Sequence, residues 1–481
     1  MEYFFAVLFL FVYYIRPQDW VPGLAGVQII QPLAGLWILS LLLGGSRRSP
    51  LPGLLRTPHD WILVAYLAYI LFFAGGSLGG ILPFLAFYIL TVQSVNTWPR
   101  LLRYLTFWNG ALVVVAGFGV LSTFGFDPTG AQENDFTKMG RLAIGTWLHD
   151  NPNALAHSVV VVIPVSFLLY FWKGPLTGRF LLFPLIAGIA FYCAWLTQSK
   201  GAYLVGGALI VIALTIGKPK WLQITAIAAA LIVGVSALSF LPRMSEMGNL
   251  QADEGVQGRI LAWEMAKTAE QNNPTGVGWQ QFIALIPWKE GNYYLIIPKA
   301  THSSYVQVGA DLGRYGLFLY LAGIWCALHT LLVSRSSDII QERCRRILLV
   351  VVIANVISGW MINRQYHTEY FLIIATSAAL HRLKKAEELA LAPEMDQTTA
   401  GTNKGEPAAE NGIPALDAGK TLRQVKQAWR DREIPAFRPV STVHSPSRKP
   451  FWNRFGIVDL TICLGLTWLT LQTWDYVLKN F

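Results

Sequence analysis

The chain has 481 residues, of which 53% are hydrophobic and 14% are charged, and its mean hydropathy is +0.42. This composition, with 18 tryptophans and recurring uncharged apolar runs, excludes an ordinary soluble domain and predicts a polytopic integral membrane protein. The formal net charge of +10 comes from short basic clusters between apolar runs, so it indicates membrane topology and not nucleic-acid binding.

A helix needs about 20 apolar residues, and at least about 17, to cross a bilayer. By this measure we expect about 12–13 transmembrane helices in an all-α bundle. The first run has no basic leader and no small-residue cleavage site, so we expect a retained span and not a signal peptide. The predicted spans are 3–15, 25–43, 60–75, 79–95, 101–122, 153–172, 179–197, 201–217, 221–241, 305–333, 346–362, 365–381 and 455–477.

Basic residues between the spans predict the orientation. With a cytoplasmic N-terminus, the inward loops are much richer in lysine and arginine than the outward ones, which supports both the spans and the orientation. Two outward loops are then long, 122–153 and 242–304. The inward residues are Arg47, Arg48, Arg56, Arg100, Arg103, Lys173, Arg179, Lys218, Lys220, Arg335, Arg343, Arg345, Arg346, Arg382, Lys384 and Lys385, and those in short outward loops are Arg16, Lys138, Arg141, Lys200 and Arg364.

The first long loop ends with W-L-H-D-N-P-N-A-L-A-H, in which the turn signal 151–153 is typical of a helix start. His149, Asp150 and His157 are residue types that bind metals, but no second cluster with ligand spacing accompanies them, so we predict no metal site. The cysteines are scattered and imply neither a disulfide framework nor a metal site. They are Cys193, Cys326, Cys344 and Cys463.

Lys200 lies in T-Q-S-K-G-A-Y-L, at the outer end of one predicted span and the start of the next. A lysine there is expected either to extend to the lipid headgroups or to contact a lipid phosphate as a point charge. The flanking small residues, Ser199 and Gly201, allow the close approach that the second interpretation needs.

In the second long loop, the segment from about Arg259 is predicted to form a helix that ends at Asn272, Asn273 and Pro274. A cation at a helix start opposes the helix dipole, so we expect Arg259 to have a partner, either Glu264 or an anionic ligand. A guanidinium group suits a pyrophosphate because it donates two parallel hydrogen bonds.

The same loop ends in T-H-S-S-Y, which places His302 at the start of an apolar run. His302 either anchors that helix or performs chemistry on an anionic substrate, because cationic and aromatic residues accumulate beside it. Asp311 and Arg314 follow in the span, three residues apart, and we expect an ion pair that orients the helix. The accumulated residues are Arg243, Arg259, Trp263, Trp279 and Lys299.

Beyond residue 381 the composition changes. We expect 382–452 to be a disordered cytoplasmic linker, rich in Ala, Glu, Thr, Pro, Lys and Gly, followed by an additional C-terminal span within 453–481. Within the linker, Thr421 to Glu433 is either a short basic helix on anionic lipid or a solvated charge run. We find no repeat, and no G-x-S-x-G, P-loop, H-E-x-x-H or outward D-x-D motif, which weakens hydrolase, NTPase, metalloprotease and metal-dependent glycosyltransferase interpretations.

Five short motifs, in order, resemble those of the bacterial O-antigen ligase and polymerase superfamily, membrane enzymes that transfer glycans from an undecaprenyl-pyrophosphate carrier. They cover roughly residues 122–379, the expected catalytic core of a membrane domain at 1–381. The motifs are D-N-P-N-A-L-A (150–156), S-K-G-A-Y (199–203), G-R-I-L-A-W (258–263), N-P-T-G-V-G-W (273–279), and H-S-S-Y with D-L-G-R-Y-G (302–316).

Three positions depart from the family's usual pattern. Lys200 replaces an arginine and so loses bidentate binding, Ser303 replaces an asparagine, and Asp311 replaces a glutamate. The linker and the last span lie outside the resemblance.

The resemblance implies a glycosyltransferase-C-like membrane enzyme that needs no cofactor or metal and works at the periplasmic face. It implies His302 and Arg259 as catalytic residues, with Asp311 and Arg314 in supporting roles. The acceptor is left open between lipid A core, a growing polysaccharide and a protein hydroxyl. A flippase or polysaccharide exporter is the non-enzymatic alternative, and it should distribute its cations along a path through the bundle. The residues implied to bind the pyrophosphate or glycan are Asn153, Lys200, Arg259, Trp263 and Tyr305.

Overall fold

The structure, a computed structural model, describes residues 1–43, 55–238, 254–290, 293–401 and 455–480. Within these ranges the chain is almost entirely helical, and a helix lies at each of the predicted spans. The segment between the ninth and tenth spans adds one further helix and one two-stranded sheet. The all-α polytopic membrane fold is therefore confirmed.

The helices alternate with short connections along most of the chain. In chain order they are α1 (Glu2–Ile15), α2 (Ile30–Leu43), α3 (Pro58–Phe73), α4 (Leu78–Ser94), α5 (Trp98–Ser122), α6 (Pro152–Phe171), α7 (Gly178–Thr197), α8 (Lys200–Thr215), α9 (Lys220–Leu238), α10 (Glu254–Asn272), α11 (Ser304–Val333), α12 (Ile339–Ser358), α13 (Thr368–Gly401) and α14 (Ile457–Asn480), and the strands are β1 (Ala284–Glu290) and β2 (Tyr293–Lys299).

Among the described helices, α5, α6, α7, α11 and α14 are long and apolar enough to cross a membrane individually. The apolar helices α2, α3, α4 and α8 are shorter, at 14, 16, 17 and 16 residues. Large apolar side chains face outward, such as Phe72 (75% exposed), Phe180 (74%) and Leu42 (71%). An apolar outer surface of this kind is expected where helices face lipid.

Helix α11 is broken near its beginning by Gly313, whose φ of 64° and ψ of −169° are open almost only to glycine. The break exposes backbone groups, and the turn after α10 satisfies them. Val277 N donates to Ala310 O (3.0 Å) and Gly278 N donates to Asp311 O (2.9 Å). Irregular backbone at membrane depth is tolerated where protein buries it in this way.

The break and the turn each require a glycine. A Cβ on Gly313 would collide with the carbonyl group of Pro274, and a Cβ on Gly276 (φ 86°) would collide with that of Asp311. Two of the five sequence motifs, N-P-T-G-V-G-W and D-L-G-R-Y-G, are therefore the two sides of one backbone contact.

The hairpin β1–β2 was not predicted from the sequence. Its strands are antiparallel, with Ala284 opposite Lys299, and Ala284 and Ile286 pack on Ala262 of α10. Two runs rich in Ile, Tyr and Trp around Gly-Asn are the signal that predicts such a hairpin. Lys299 is the last residue of β2, so the hairpin places it directly before the loop that carries His302.

Several predicted boundaries differ in the structure, and two of them change an interpretation made from the sequence. Helix α10 begins at Glu254, earlier than the predicted start near Arg259, and ends at Asn272 as predicted. Helix α13 continues to Gly401, so the first part of the predicted linker is helical. The segment Thr421 to Glu433 and Arg243 lie outside the described residues. Helix α14 lies at the predicted last span and packs against α11 and α10.

Candidate active site

His302 lies in the turn between β2 and α11, with a left-handed backbone φ of 51°. The helix cap is its neighbour Ser303, whose side chain accepts a hydrogen bond from Val306 N (3.4 Å). Histidine tolerates this conformation better than most residues, but it still costs about 1–3 kcal/mol. The structure thus excludes helix capping as the reason for a histidine here.

Several groups hold the turn around His302 in place. Trp263 Nε1 donates to Thr301 O (2.8 Å), and Ser304 N donates to Gly359 O (2.7 Å). Thr301 Oγ1 lies 3.1 Å from Asn363 Oδ1. The strained His302 is therefore held in place by contacts of the residues before it and after it in the chain.

Burial and, to a smaller extent, the positive charges of Arg259 and Lys299 together lower the pKa of His302 from its usual 6.5 to about 4. The charged groups acting on the imidazole come from two elements, α10 and β2. His302 is thus neutral at neutral pH, able to accept a proton or a hydrogen bond.

Arg259 lies in the second turn of α10 and is partly buried. The argument that it opposes the dipole at a helix start was wrong, because the helix begins five residues earlier, at Glu254. What identifies Arg259 is its charge acting on His302. It is a cation held beside a neutral histidine, as an anionic substrate would require.

Trp263 follows Arg259 by one helical turn and is only 9% exposed. Its ring lies 6.1 Å from that of Trp360, and its indole N–H is bonded to Thr301 O. Trp263 therefore connects α10 to the His302 turn, and its direct contact with the glycan stays a prediction.

Asn153 and Lys200 lie together at a second cluster. Ser199 Oγ donates to Asn153 Oδ1 (2.9 Å), and Arg141 donates to the same oxygen (3.1 Å). The space at Gly201 is filled by Met361 and by His157 Nε2, 3.3 Å from where a Cβ would lie. Asn153 therefore holds the turn that positions Lys200, and its side-chain oxygen is occupied.

The segment 358–367 joins the two clusters and was missed from the sequence. Arg364 donates to Ala154 O beside Asn153 (2.7 Å), and its backbone N–H donates to Ser304 Oγ beside His302 (3.0 Å). Arg364 is balanced by Glu369 (2.7 Å). The run N-R-Q-Y-H in a short predicted outward turn is the sequence signal that points to it.

The predicted ion pair between Asp311 and Arg314 is wrong. Arg314 pairs with Glu270 of α10 (3.0 Å), whereas Asp311 accepts hydrogen bonds from Phe282 N (2.8 Å) and Tyr366 (3.0 Å). The break at Gly313 lies between the two residues, so they lack the helical i,i+3 geometry. Both support the site by tying α11 to neighbouring segments.

Tyr305 was predicted to bind the substrate, and the structure places its side chain in the interior of the helix bundle. It is 3% exposed, and its hydroxyl donates to Val356 O (2.7 Å) inside the bundle. Its ring packs on Trp360, 5.0 Å away. Tyr305 therefore belongs to the core beneath the site.

The two histidines considered as metal ligands have different partners. His149 Nε2 lies 3.2 Å from Ser158 Oγ, and His157 Nδ1 lies 2.9 Å from Ser358 Oγ. Burial moves the pKa of His149, which lies in a loop, well below its usual value. In the described part of the chain, no three His, Cys, Asp or Glu side chains converge.

A cavity of about 340 Å³ opens beside the His302 turn. Its walls are rich in amides and aromatic rings, groups that hydrogen-bond sugar hydroxyls and pack on sugar rings. Gln365 is 6% exposed, and its Oε1 is buried with no hydrogen-bond partner among the described residues. The lining residues are Gln280, Phe282, Ile283, Pro298, Lys299, Ala300, Gln307, Asp311, Asn363, Gln365 and Tyr366.

Comparisons with known proteins agree with the resemblance seen in the sequence. Residues 185–321 match the family model described as O-antigen ligase, and this segment contains Lys200, Arg259, the hairpin and His302. The match confirms the resemblance to the O-antigen ligase superfamily and supports a membrane glycan transferase. Among curated proteins no match to the chain is found.

Proposed function

We propose that this chain, which carries an O-antigen ligase domain over residues 185–321, transfers a glycan from an undecaprenyl-pyrophosphate carrier to an acceptor hydroxyl. The reaction takes place at the periplasmic face of the bacterial inner membrane, where the turn between β2 and α11 lies. The observation that carries the proposal is a neutral His302 whose pKa is lowered by burial and by the charges of Arg259 and Lys299, in a turn beside an amide-lined cavity.

The step is a substitution at the anomeric carbon. The acceptor oxygen forms a bond to that carbon, the bond from the carbon to the pyrophosphate oxygen breaks, and the carrier leaves with the electron pair as lipid pyrophosphate. The proton of the hydroxyl passes to His302. Each atom is accounted for without a metal or a nucleotide sugar.

Arg259 stabilises the negative charge that develops on the departing pyrophosphate. Charge-assisted bonds from a guanidinium group are strong and directional, and they gain strength where water is excluded. Lys299 lies at the end of β2 and acts on the same region, while Lys200 offers a point charge from the second cluster. Arg364 links that cluster to Ser304.

His302 becomes a useful base only when the donor is bound. Its pKa is about 4 in the absence of a ligand, which makes it a weak base. A pyrophosphate beside Arg259 and Lys299 offsets their charge, so the pKa rises toward the usual value. Proton abstraction is thereby coupled to the presence of the glycan donor.

The cavity beside the turn holds sugar rings near the reacting carbon. Asp311, Gln307 and Gln365 present oxygen and nitrogen atoms to it, while Tyr366 and Phe282 present ring surface. The unpaired Gln365 Oε1 accepts from a sugar hydroxyl. Pockets of a few hundred cubic ångströms are typical of ligand sites.

The test is loss of transfer in His302→Ala at unchanged protein level. In a strain lacking the chromosomal gene, the wild-type chain should restore the surface glycan, and His302→Ala should leave undecaprenyl-linked glycan to accumulate. Tyr315→Phe, at an exposed position of α11 (56% exposed), is the matched control and should restore it. Normal surface glycan with His302→Ala would remove His302 from the mechanism.

The same deletion strain identifies the acceptor. Loss of attachment to lipid A core indicates a ligase, loss of chain length indicates a polymerase, and loss of a glycoprotein indicates a protein O-oligosaccharyltransferase. If lipid-linked glycan instead accumulates on the cytoplasmic leaflet, the chain is a flippase and the transferase proposal fails.

A further inference from the structure

The last helix, α14, lies outside the matched segment but contacts the candidate active site. Trp474 near its end is fully buried, at 0% exposure, in a cluster with Trp263 and Ala266 of α10 and Val306 and Ala310 of α11. Gly309 of α11 provides the space, since a Cβ there would lie 2.9 Å from the Trp474 ring. The start of α11 is thus shaped to receive this side chain.

Polar contacts reinforce this packing. Trp474 Nε1 donates to Trp263 O (3.2 Å). The ammonium group of Lys267 lies 3.1 Å from Asp475 and 5.0 Å from the centre of the Trp474 ring. Because Lys267 is largely buried, these contacts are screened by water much less than surface ion pairs.

The ion pairs continue into α11. The carboxylate of Glu270, which is 1% exposed, lies 3.4 Å from the ammonium group of Lys267 and 3.0 Å from the guanidinium group of Arg314. Lys267 therefore connects α14 to α10, and Glu270 connects α10 to α11. Residues of three helices form one charged network next to Trp474.

The opposite end of α14 is also attached to α11. Asp459 Oδ1 accepts from Trp325 Nε1 (3.0 Å) and lies 3.7 Å from His329 Nε2. Asp459 is 1% exposed, so this attachment is buried as well. Because both ends of α14 are attached, its position along α11 and its rotation about its own axis are fixed.

A short series of bonds leads from α14 to the histidine. Trp474 donates to the backbone of Trp263, and the Trp263 indole donates to Thr301 O, immediately before His302. Trp263 lies one turn after Arg259 on the same helix. The position of Trp474 therefore fixes both the helix that carries the arginine and the turn that carries the histidine.

We propose that Trp474 is a positioning residue for glycan transfer, by which the C-terminal helix holds Arg259 and His302 in register. This inference rests on the proposed function. The additional helix is then part of the active-site scaffold and not a membrane anchor alone. Small misplacements of reacting groups cost as much as about 100-fold in rate, so the expected effect is large.

The experiment compares Trp474→Ala with Trp468→Ala in the full-length protein. Trp468 lies on the same helix but is 63% exposed, so it is the matched control. Trp474→Ala should lower the transfer rate at saturating donor by about 10-fold or more, and Trp468→Ala should leave it unchanged. Trp474→Phe keeps the ring but loses the donor to Trp263 O, so its rate should lie between those of wild type and Trp474→Ala.

A second readout does not depend on transfer. Diethyl pyrocarbonate modifies only the unprotonated imidazole, so the pH dependence of His302 modification, followed by peptide mass spectrometry, reports its pKa. The wild-type midpoint should lie near 4. In Trp474→Ala, α10 moves, the charge of Arg259 recedes, and the midpoint should shift upward.

An unchanged rate and midpoint in Trp474→Ala, or the same changes in Trp468→Ala, would overturn the positioning role. If Trp474→Ala does not accumulate, Trp474→Phe and Asp475→Asn replace it under the same criteria. If the wild type transfers no glycan but the midpoint shifts in Trp474→Ala, Trp474 positions Arg259 and His302 for another activity, and the proposed function is refuted.

Discussion

At the scale of single residues, the site places two cations where their charge acts against protonation of a histidine. Arg259 and Lys299 both disfavour a proton on His302. His302 is neutral in the resting protein, so the cations raise the free energy of its protonated form only, and a pyrophosphate near them would lower it. Groups with displaced pKa values are frequent at functional sites for this reason.

This arrangement predicts two different pH dependences. Transfer requires neutral His302, so activity is lost as pH falls through its pKa. For kcat/KM, which reports the free enzyme, the acidic limb should lie near pH 4. For kcat, which reports the donor complex, it should lie at higher pH because the pyrophosphate raises the pKa.

Lys299→Gln tests these pH dependences, because it removes one of the two positive charges acting on His302. It should move the limb of kcat/KM to higher pH and bring the two limbs closer together. Coincident limbs in the wild type, or the reverse order, would exclude His302 as a base controlled by the donor.

Arg259 and Lys200 should respond differently to an exchange of cation. Arg259→Lys should reduce transfer by about 10-fold or more, because a lost charge-assisted hydrogen bond is worth about 1.5–3 kcal/mol. Lys200→Arg should be tolerated, since it supplies the residue that the family usually has. Initial rates with saturating acceptor measure both, and a dead Lys200→Arg with a normal Arg259→Lys would mean that the phosphate contacts are assigned wrongly.

At the scale of structural elements, the break in α11 is the feature with the sharpest sequence requirement. Gly313→Ala should lower the thermal unfolding midpoint in detergent strongly, since it adds about 1–3 kcal/mol of backbone strain to a collision with Pro274. Gly117→Ala in α5, where a side chain meets open space, is the control and should be neutral or stabilising. Equal midpoints for the two variants would show that the break is not required.

The elements also show what the sequence could predict. Hydropathy located the helices, because spanning a bilayer needs a long apolar run and little else. It did not predict the hairpin, whose short strands are exposed on one face. It also did not predict the partner of Arg314, because the break at Gly313 interrupts the regular helix between Asp311 and Arg314. The environment of Trp474 depends on contacts between residues more than 150 positions apart, which no local pattern carries.

The candidate site divides in the same way. His302, Arg259 and Lys200 were found because cations and a histidine are unusual beside apolar runs. Asn153, Trp263 and Tyr305 were predicted to bind the substrate, and the structure shows protein partners for Asn153 Oδ1, the Trp263 indole N–H and the Tyr305 hydroxyl. Their roles could be judged only once the partners of those atoms were visible.

At the scale of the whole molecule, the function requires one orientation in the membrane. Thr275 is an exposed residue in the turn after α10, and Ser337 is an exposed residue after the opposite end of α11. Thr275→Cys should react with a membrane-impermeant thiol reagent once the outer membrane is permeabilised, and Ser337→Cys only after the inner membrane is broken. The four native cysteines are buried, so background labelling should be low.

The reversed labelling pattern would place His302 and Arg259 on the cytoplasmic side. The proposed outward placement rests on the basic residues of the predicted inward loops, such as Lys218 and Lys220 at the start of α9 and Arg343 to Arg346 in α12. Assembled glycans reach the enzyme only on the outer leaflet, so a reversed chain could not act on them.

The most direct test is transfer by the purified protein in lipid bilayers, supplied only with an undecaprenyl-pyrophosphate-linked glycan and candidate acceptors, in the presence of a metal chelator. We expect one molecule of lipid pyrophosphate released for each glycan transferred by the wild type, and neither product from His302→Ala. Absence of transfer by the wild type with every acceptor class, a requirement for added divalent metal, or equal rates for His302→Ala would contradict the account.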